Sequence, residues 1–399
     1  MTASPAAASR LAGESLDGQL IDLDRAATTP VQREVLIGML PYFSEQAGNS
    51  SSLHAAGRRA RRAVEEARER VAAAVGARPR QLVFTSGATE ALQLAVHGLV
   101  AGQPGAHLIT SLSEHAAVLE AVRACERRGH PVTWLRPDAA GRVSADALLA
   151  AVRPDTALLA LMRTNNETGV RHDLAPLRAD LIERGVRVLV DAVQAFGYEP
   201  LDLEALGADM LALSSHKVEG PKGCGVLVVA EGVTLEPQQR GGGQERGLRG
   251  GTVDVPAVVG FGLAAERAAD WQARAARVTA LRERFEATLL GLPGVHLNGA
   301  EAPRGPKQAN LRFEDVDGET LLINLDALGV LASTGSACAA GSVEPSHVLV
   351  AMGLARDEAR ASVRFSFGDH LDEALVDEAA RRVGVALQRS RGNDVATSA

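Results

Sequence analysis

From Leu82 onward, short β-rich runs alternate with segments whose apolar residues recur three and four apart, and this alternation limits the fold class more than any other property of the chain. The strand candidates are Leu82–Thr85, His107–Thr110, Ala157–Leu161, Val186–Asp191, Asp209–Ser214 and Gly225–Ala230. Helical patterns such as Glu114–Arg128 and Leu174–Arg184 lie between several of them. Such alternation implies βαβ units. The expected fold is α/β, with a mainly parallel central sheet flanked by helices on both faces.

Around this frame the pattern changes. His54–Val75 reads as one amphipathic helix, with Ala60, Val64, Ala67, Val71 and Ala74 on one face. After a Gly-rich loop at 241–251, Val255–Leu290 reads as one long helical stretch ended by Gly291, Pro293 and Gly294. Strands are then expected at Asn310–Phe313 and Ser362–Phe367, with helices near Gly318–Leu328 and Leu371–Leu387. That is the rhythm of a smaller α+β domain.

Composition narrows the function. The 399 residues are 46% hydrophobic and 23% charged, a globular balance. A net charge of -7 and only twelve aromatic residues argue against general nucleic-acid binding. The basic run Arg58, Arg59, Arg61, Arg62 precedes Glu65, Glu66 and Glu69 by one turn and reads as a solvated helix face. The longest apolar run, Val255 to Ala265, falls well short of the roughly 20 residues that span a bilayer. The first twenty residues carry no apolar stretch of signal-peptide length. Three widely spaced cysteines, Cys125, Cys224 and Cys338, form neither a disulfide framework nor a zinc site of CxxC type. We expect a cytoplasmic enzyme without metal and without direct membrane contact.

Only three of the 42 basic residues are lysine: Lys217, Lys222 and Lys307. There is no GxGxxG after a strand, and no P-loop, HExxH or GxSxG motif. What remains is a set of polar residues at strand ends, where ligands bind in parallel α/β sheets. Thr85-Ser86-Gly87-Ala88-Thr89-Glu90 follows a strand and opens a helix, so it is either a phosphate seat or an ordinary cap. Asp191 ends an apolar strand, where a carboxylate must be solvated, paired or facing a cationic ligand atom. Ser214-Ser215-His216-Lys217 follows another strand. Lys222 sits in a Gly-Pro-Lys-Gly turn and Lys307 in a Pro- and Gly-rich loop, so Lys217 alone occupies a strand edge. Pyridoxal phosphate requires this combination: a lysine for its aldehyde, a carboxylate for its pyridinium nitrogen and a helix N-terminus for its phosphate.

The order of these motifs resembles the cysteine desulfurases, within the class V aminotransferase-like branch of fold-type I pyridoxal phosphate enzymes. The resemblance runs from about Asp24 to Leu387 and includes Ala26-Ala27-Thr28-Thr29, Glu114-His115, Asn165-Asn166-Glu167, Gly241-Gly242-Gly243-Gln244-Glu245, Gly251-Thr252 and Gly335-Ser336-Ala337-Cys338. It implies that Lys217 holds the cofactor and moves the Cα proton, that Asp191 pairs with the pyridine, and that His115 stacks on the ring. Gln194 would approach the ring hydroxyl, and Asn166 the cofactor or substrate. Ala88, Thr89, Ser214 and His216 would hold the phosphate. Thr252 would reach the phosphate of a partner subunit in a homodimer, and Arg364 would grip the substrate carboxylate. The implied division is a tail at 1–19, a large cofactor-binding domain at 31–264, a small domain at 20–30 and 265–391, and a tail at 392–399.

Cys338 carries the reaction in this resemblance. Residues Ser333 to Ser346 are small, polar and Gly-containing, and read as an exposed mobile loop. A thiol on such a tether can reach the cofactor and then deliver sulfur outward. The length and the Gly-Ser-Ala-Cys form resemble the group I, long-loop desulfurases. The implied reaction turns L-cysteine into L-alanine with a persulfide on Cys338, passed on to a sulfur-acceptor protein in an iron–sulfur or thiolation pathway. Selenocysteine lyase or aminotransferase activity on the same scaffold, or a non-catalytic partner protein, are the alternatives. Arg25, Ser50 and Glu219 depart from the family's usual Asn, Pro and aromatic residue.

Overall fold

The computed structural model describes residues 19–335 and 344–392. Seven strands form the central sheet, in the spatial order Leu82–Thr85, Gly225–Val229, Met210–Ser214, Arg187–Asp191, Thr156–Met162, His107–Ser111 and Val132–Leu135. From Met210–Ser214 to Val132–Leu135 every pairing is parallel. Gly225–Val229 runs antiparallel to both neighbours. All six expected strands are present, within a residue or two at their ends. The seventh, Val132–Leu135, is a half-buried edge strand of four residues.

Side-chain alternation divides the sheet between two apolar layers. Val83, Leu108, Leu158, Leu189, Met210 and Leu227 face a layer shared with helices Ala88–Val100 and Ala116–Arg127. Phe84, Ile109, Leu159, Val190, Leu211 and Val226 face a layer shared with helices Ala55–Ala74 and Val255–Ala268. Both faces are covered, so the strands read as near-continuous apolar runs.

The stretch 255–290 is two helices rather than one. Val255–Ala268 and Trp271–Leu290 are separated at Ala269–Asp270. The cause is where their apolar stripes point. Val258, Phe261 and Ala265 pack under the large sheet, whereas Val278, Leu281, Phe285 and Leu289 pack into a separate core. One straight helix could not serve both. The region 174–184 also divides, into a 3-10 turn at Ala175–Leu177 containing Pro176 and a short helix at Arg178–Glu183.

The second core lies behind an antiparallel sheet of Ser362–Ser366, Gln308–Phe313 and Val295–Leu297. The Phe285 ring stands 5.0 Å from Phe365 and 5.3 Å from Phe367. The N-terminal segment joins this core late in the chain: Ile21–Asp22 pairs in parallel with Val330–Leu331, and the Ala26 N–H donates to Ser366 Oγ at 2.8 Å. Among the described residues no helix is long and apolar enough to cross a membrane. Cys338 lies outside the described residues, as do most of the two expected tails.

Candidate active site

The carboxyl ends of the parallel strands open into a cavity of about 670 Å³, a volume suited to a cofactor with its substrate. At one end, strand Leu82–Thr85 turns through Ser86 and Gly87 into helix Ala88–Val100. Gly87 has no side chain to cap that helix, so its first N–H groups face the cavity lined by Ala88 and Thr89. Gly225 of the neighbouring strand passes close beneath, where a Cβ would come within 2.5 Å of the Gly87 carbonyl carbon. Ser214 and His216 line the same end. Glu90 accepts the Ser86 N–H at 2.6 Å, and its other oxygen pairs with Arg249 at 2.9 Å, which offsets its charge beside the helix terminus.

Asp191 lines the same cavity at the end of its strand and accepts the Val193 N–H at 3.0 Å. Burial pushes its carboxyl above the usual carboxylate range, against the opposing pull of His115, the Val193 N–H and Lys217. His115 caps helix Ala116–Arg127, its Nδ1 accepting the Ala117 N–H at 3.1 Å. The proton of the neutral ring is therefore on Nε2. Burial holds His115 below the ordinary imidazole value. His216, at about 4, is held down by burial and then by the charges of Lys217, Lys222 and Lys307.

Lys217 ends the 3-10 turn Ser215–Lys217, which follows strand Met210–Ser214. Its Nζ donates to the carbonyls of Ala26 and Ala27, each at 2.6 Å. Gln194 donates to the same Ala26 carbonyl at 3.0 Å and accepts from Gln308 at 3.0 Å. Arg364 is 4% exposed and donates to Asp24 Oδ1 at 2.7 Å and to the Asn166 carbonyl at 3.1 Å. Asn166 Oδ1 and Arg364 Nε are buried without a hydrogen-bond partner.

Of the residues singled out from sequence, Ala88, Thr89, His115, Asn166, Asp191, Gln194, Ser214, His216, Lys217 and Arg364 all line this one cavity. Thr252 does not line it and is exposed after the Gly-rich loop. Cys338 is outside the described residues, but Gly335, three positions before it, is on the cavity wall. Lys222, set aside in sequence as a turn residue, lines the cavity as well. Lys307 is no solvated loop residue. It is fully buried over the Tyr198 ring at 4.6 Å, with its amine pushed down to about 7 by burial and by Lys217 and two arginines.

Asp24, which holds Arg364, and Glu167, buried behind Asn166, gave no separate signal. Glu167 stands inside the Asn165-Asn166-Glu167 motif and Asp24 two residues before Ala26-Ala27-Thr28-Thr29, yet their contacts join segments far apart in sequence.

These groups fit pyridoxal phosphate. Uncapped helix N–H groups, a serine hydroxyl and an imidazole suit a phosphate. A buried carboxylate suits a protonated ring nitrogen, and an amine suits an aldehyde. The unpartnered Asn166 Oδ1 and Arg364 Nε leave an acceptor and a donor at the cavity for a polar ligand.

Comparison with known proteins agrees. The aminotransferase class-V model matches residues 21–378. The cysteine desulfurase IscS of Anaeromyxobacter sp. (strain K) is 45% identical over 378 residues, 93% of each chain. The IscS of Methanosarcina thermophila is 40% identical over 380 residues, 94% of each. A NifS-like protein of known structure superposes with a TM-score of 0.86 at 32% identity, covering 93% of this chain and 100% of that one. DndA from Streptomyces lividans superposes with a TM-score of 0.74 at 39% identity, covering 86% and 98%. SspA, solved in complex with cysteine, gives 0.78 at 36% identity, covering 87% and 98%. Pyridoxal phosphate is the cofactor of this family. By a likeness that extends over 93% of its length, and by the cavity that likeness encloses, the chain belongs to the class-V aminotransferases, as one of their cysteine desulfurases.

Proposed function

We propose that this protein converts L-cysteine to L-alanine and retains the sulfur as a persulfide on Cys338. The observation that carries this reading is the convergence of Lys217, Asp191, His115 and Arg364 on one cavity whose wall includes Gly335, the last described residue before the Cys338 segment. Bound pyridoxal phosphate supplies an aldehyde for the amine and a ring that accepts an electron pair from Cα. Lys217 would hold the cofactor through its Nζ and would serve as the base that takes the substrate's Cα proton. Asp191 balances the charge of the ring nitrogen, a role that a carboxylate strained by burial serves well. His115, on the cavity wall, would pack against the ring.

At the phosphate end, Ala88, Thr89 and Ser214 donate. Nδ1 of His216 shares a hydrogen bond of 3.0 Å with the Thr28 hydroxyl, and in the tautomer that accepts there Nε2–H would donate to the phosphate as well. Gln194 and Asn166 orient the ring and the substrate. Arg364 takes the substrate carboxylate, its guanidinium aimed by Asp24.

The thiolate of Cys338 attacks the substrate sulfur. The S–S bond would form as the Cβ–S bond breaks, Cβ would take up a proton and Lys217 would return one to Cα, so that L-cysteine and a thiol become L-alanine and a persulfide. An acceptor protein of an iron–sulfur or thiolation pathway then receives the sulfur, in the cytoplasm.

The active unit is a homodimer. Leu36, Ile37, Leu40, Phe43 and Leu53 leave 46, 55, 53, 63 and 81% of their area exposed along residues 36–53, which supports a covered face there. Thr252, exposed and away from its own cavity, serves the partner's phosphate. The chain divides into the units 31–264 and 20–30 with 265–391, a division supported by their separate apolar cores.

The test is the holoenzyme with L-cysteine. Alanine should form, and mass spectrometry should find one added sulfur atom on the Cys338 peptide and none on those of Cys125 or Cys224. Cys338→Ser should remain yellow and bind L-cysteine while losing alanine formation, because a hydroxyl is a far poorer attacker of sulfur. Wild-type alanine production by that variant would overturn the assignment.

A further inference from the structure

Gly335, which borders the Cys338 segment, and Ser346, two residues beyond its other border, converge on one buried carboxyl. Glu167 is 1% exposed, and its Oε2 accepts a short hydrogen bond from the hydroxyl of Ser346, itself 1% exposed. Gly335 lies against the same carboxyl. Its φ is +84°, and a Cβ there would stand 2.4 Å from Glu167 Oε2. No side chain fits between Glu167 and the N-terminal root, and a hydroxyl makes the bond at the C-terminal root.

Each root is also tied to the reaction site. Ser333 exchanges two backbone hydrogen bonds with Arg364, at 2.6 and 3.1 Å, and its hydroxyl accepts the Gly335 N–H at 3.1 Å. His347, next to Ser346, donates from Nε2 to the Glu114 carbonyl at 2.9 Å, one residue before His115. Glu167 directly follows Asn166, whose carbonyl holds Arg364. Glu167 itself lines no part of the cavity and is not placed to touch substrate.

We propose that Glu167 is a positioning residue that clasps both roots of residues 336–343, so that sulfur transfer to Cys338 starts from a fixed base while L-cysteine binding does not depend on it. The proposal rests on the reading of Cys338 as the sulfur acceptor. A buried acceptor whose partner is removed costs more than the bond itself. Loss of the clasp should therefore appear in the transfer step, which needs the thiol at one place, and not in the binding step, which uses Arg364, Lys217 and Asp191.

The test compares Glu167→Ala, Glu167→Gln and Ser346→Ala holoenzymes with wild type in single-turnover experiments. L-cysteine affinity is read by spectral titration, and persulfide on Cys338 by quenched-flow mass spectrometry. Glu167→Ala and Ser346→Ala should each slow persulfide formation by at least about tenfold, the effect of one buried hydrogen bond, with L-cysteine affinity within about threefold of wild type. Glu167→Gln, which keeps an acceptor oxygen, should recover most of the rate. The double variant should be no slower than the slower single one. If Glu167→Ala does not fold, Ser346→Ala breaks the same bond and decides the matter alone. Unchanged persulfide rates, or a loss of binding that matches the loss of transfer, overturn the clasp. Cys338→Ser run in parallel keeps the two readings apart: if it forms alanine normally the assignment of Cys338 falls, and if it is inactive while both clasp variants transfer sulfur normally only the clasp falls.

Discussion

Arg364 and Asp24 form an ion pair of 2.7 Å across the wall of the cavity, joining the third residue of strand Ser362–Ser366 to a position 340 residues earlier. With a second donor committed to the Asn166 carbonyl, the guanidinium plane is fixed and Nε–H is left unpartnered. A planar fork held this way suits a carboxylate, and an ammonium does not reproduce it. Arg364→Lys should raise KM for L-cysteine by about tenfold or more with a smaller change in kcat. Steady-state alanine production measures both. A fall in kcat alone would place Arg364 outside substrate binding.

Lys217→Ala should yield a protein that loses its colour on dialysis. Borohydride reduction of the wild type should fix the cofactor to the Lys217 peptide. The check has force because Lys222 lines the same cavity. A reduced adduct on the Lys222 peptide of the variant would move the cofactor lysine.

Acid should weaken the fold through buried imidazoles. Burial holds His172 at about 4, against its hydrogen bond to the Met162 carbonyl, from an ordinary value of 6.5. Between those two values the unfolded chain carries the proton and the folded chain does not. Stability from this group is therefore complete above pH 6.5 and lost as pH falls through 4. A shift of that size corresponds to roughly 3 kcal/mol. His216 and His370, also held at about 4, act with the same sign. Urea midpoints of wild type and His172→Gln from pH 7 to 4 measure the effect, and the variant should show the shallower dependence. Parallel curves would refute it.

A charge in the exposed apolar stretch should separate the subunits. Phe43→Asp with Leu40→Asp should give a monomer by analytical ultracentrifugation, with cofactor affinity reduced by about tenfold or more through loss of the partner's Thr252. Thr252→Ala should stay dimeric and bind cofactor more weakly than wild type. A monomer that binds cofactor as tightly as the dimer would rule out a shared site.

The legible part of the molecule was the part governed by local pattern. Strands buried on both faces read as apolar runs, so the polar residue ending each run marked the site, as with Asp191 and Lys217. Val132–Leu135 escaped because a short edge strand pairs on one side only and is half-buried. The break at Ala269–Asp270 escaped because Ala- and Arg-rich sequence favours helix on both sides, and only the direction of packing separates Phe261 from Phe285. Lys307 and Glu167 escaped for a further reason. The burial of a charged group is decided by whatever folds over it, here Tyr198 for one and Ser346 for the other, and neither neighbour is local.

The carbonyls of Ala26 and Ala27 that hold the Lys217 amine belong to a segment secured by Ser366 and by Val330–Leu331. On the ribosome this segment precedes Ser366 by 340 residues. At the usual 5–20 residues per second, the interval is roughly 20 to 70 s. Throughout that time the sheet can form and Lys217 can reach its strand edge, but the cradle around its amine is incomplete. The Lys217 amine thus gains its two carbonyl partners only after residues 330–366 have been made and have closed on the segment that carries Ala26 and Ala27.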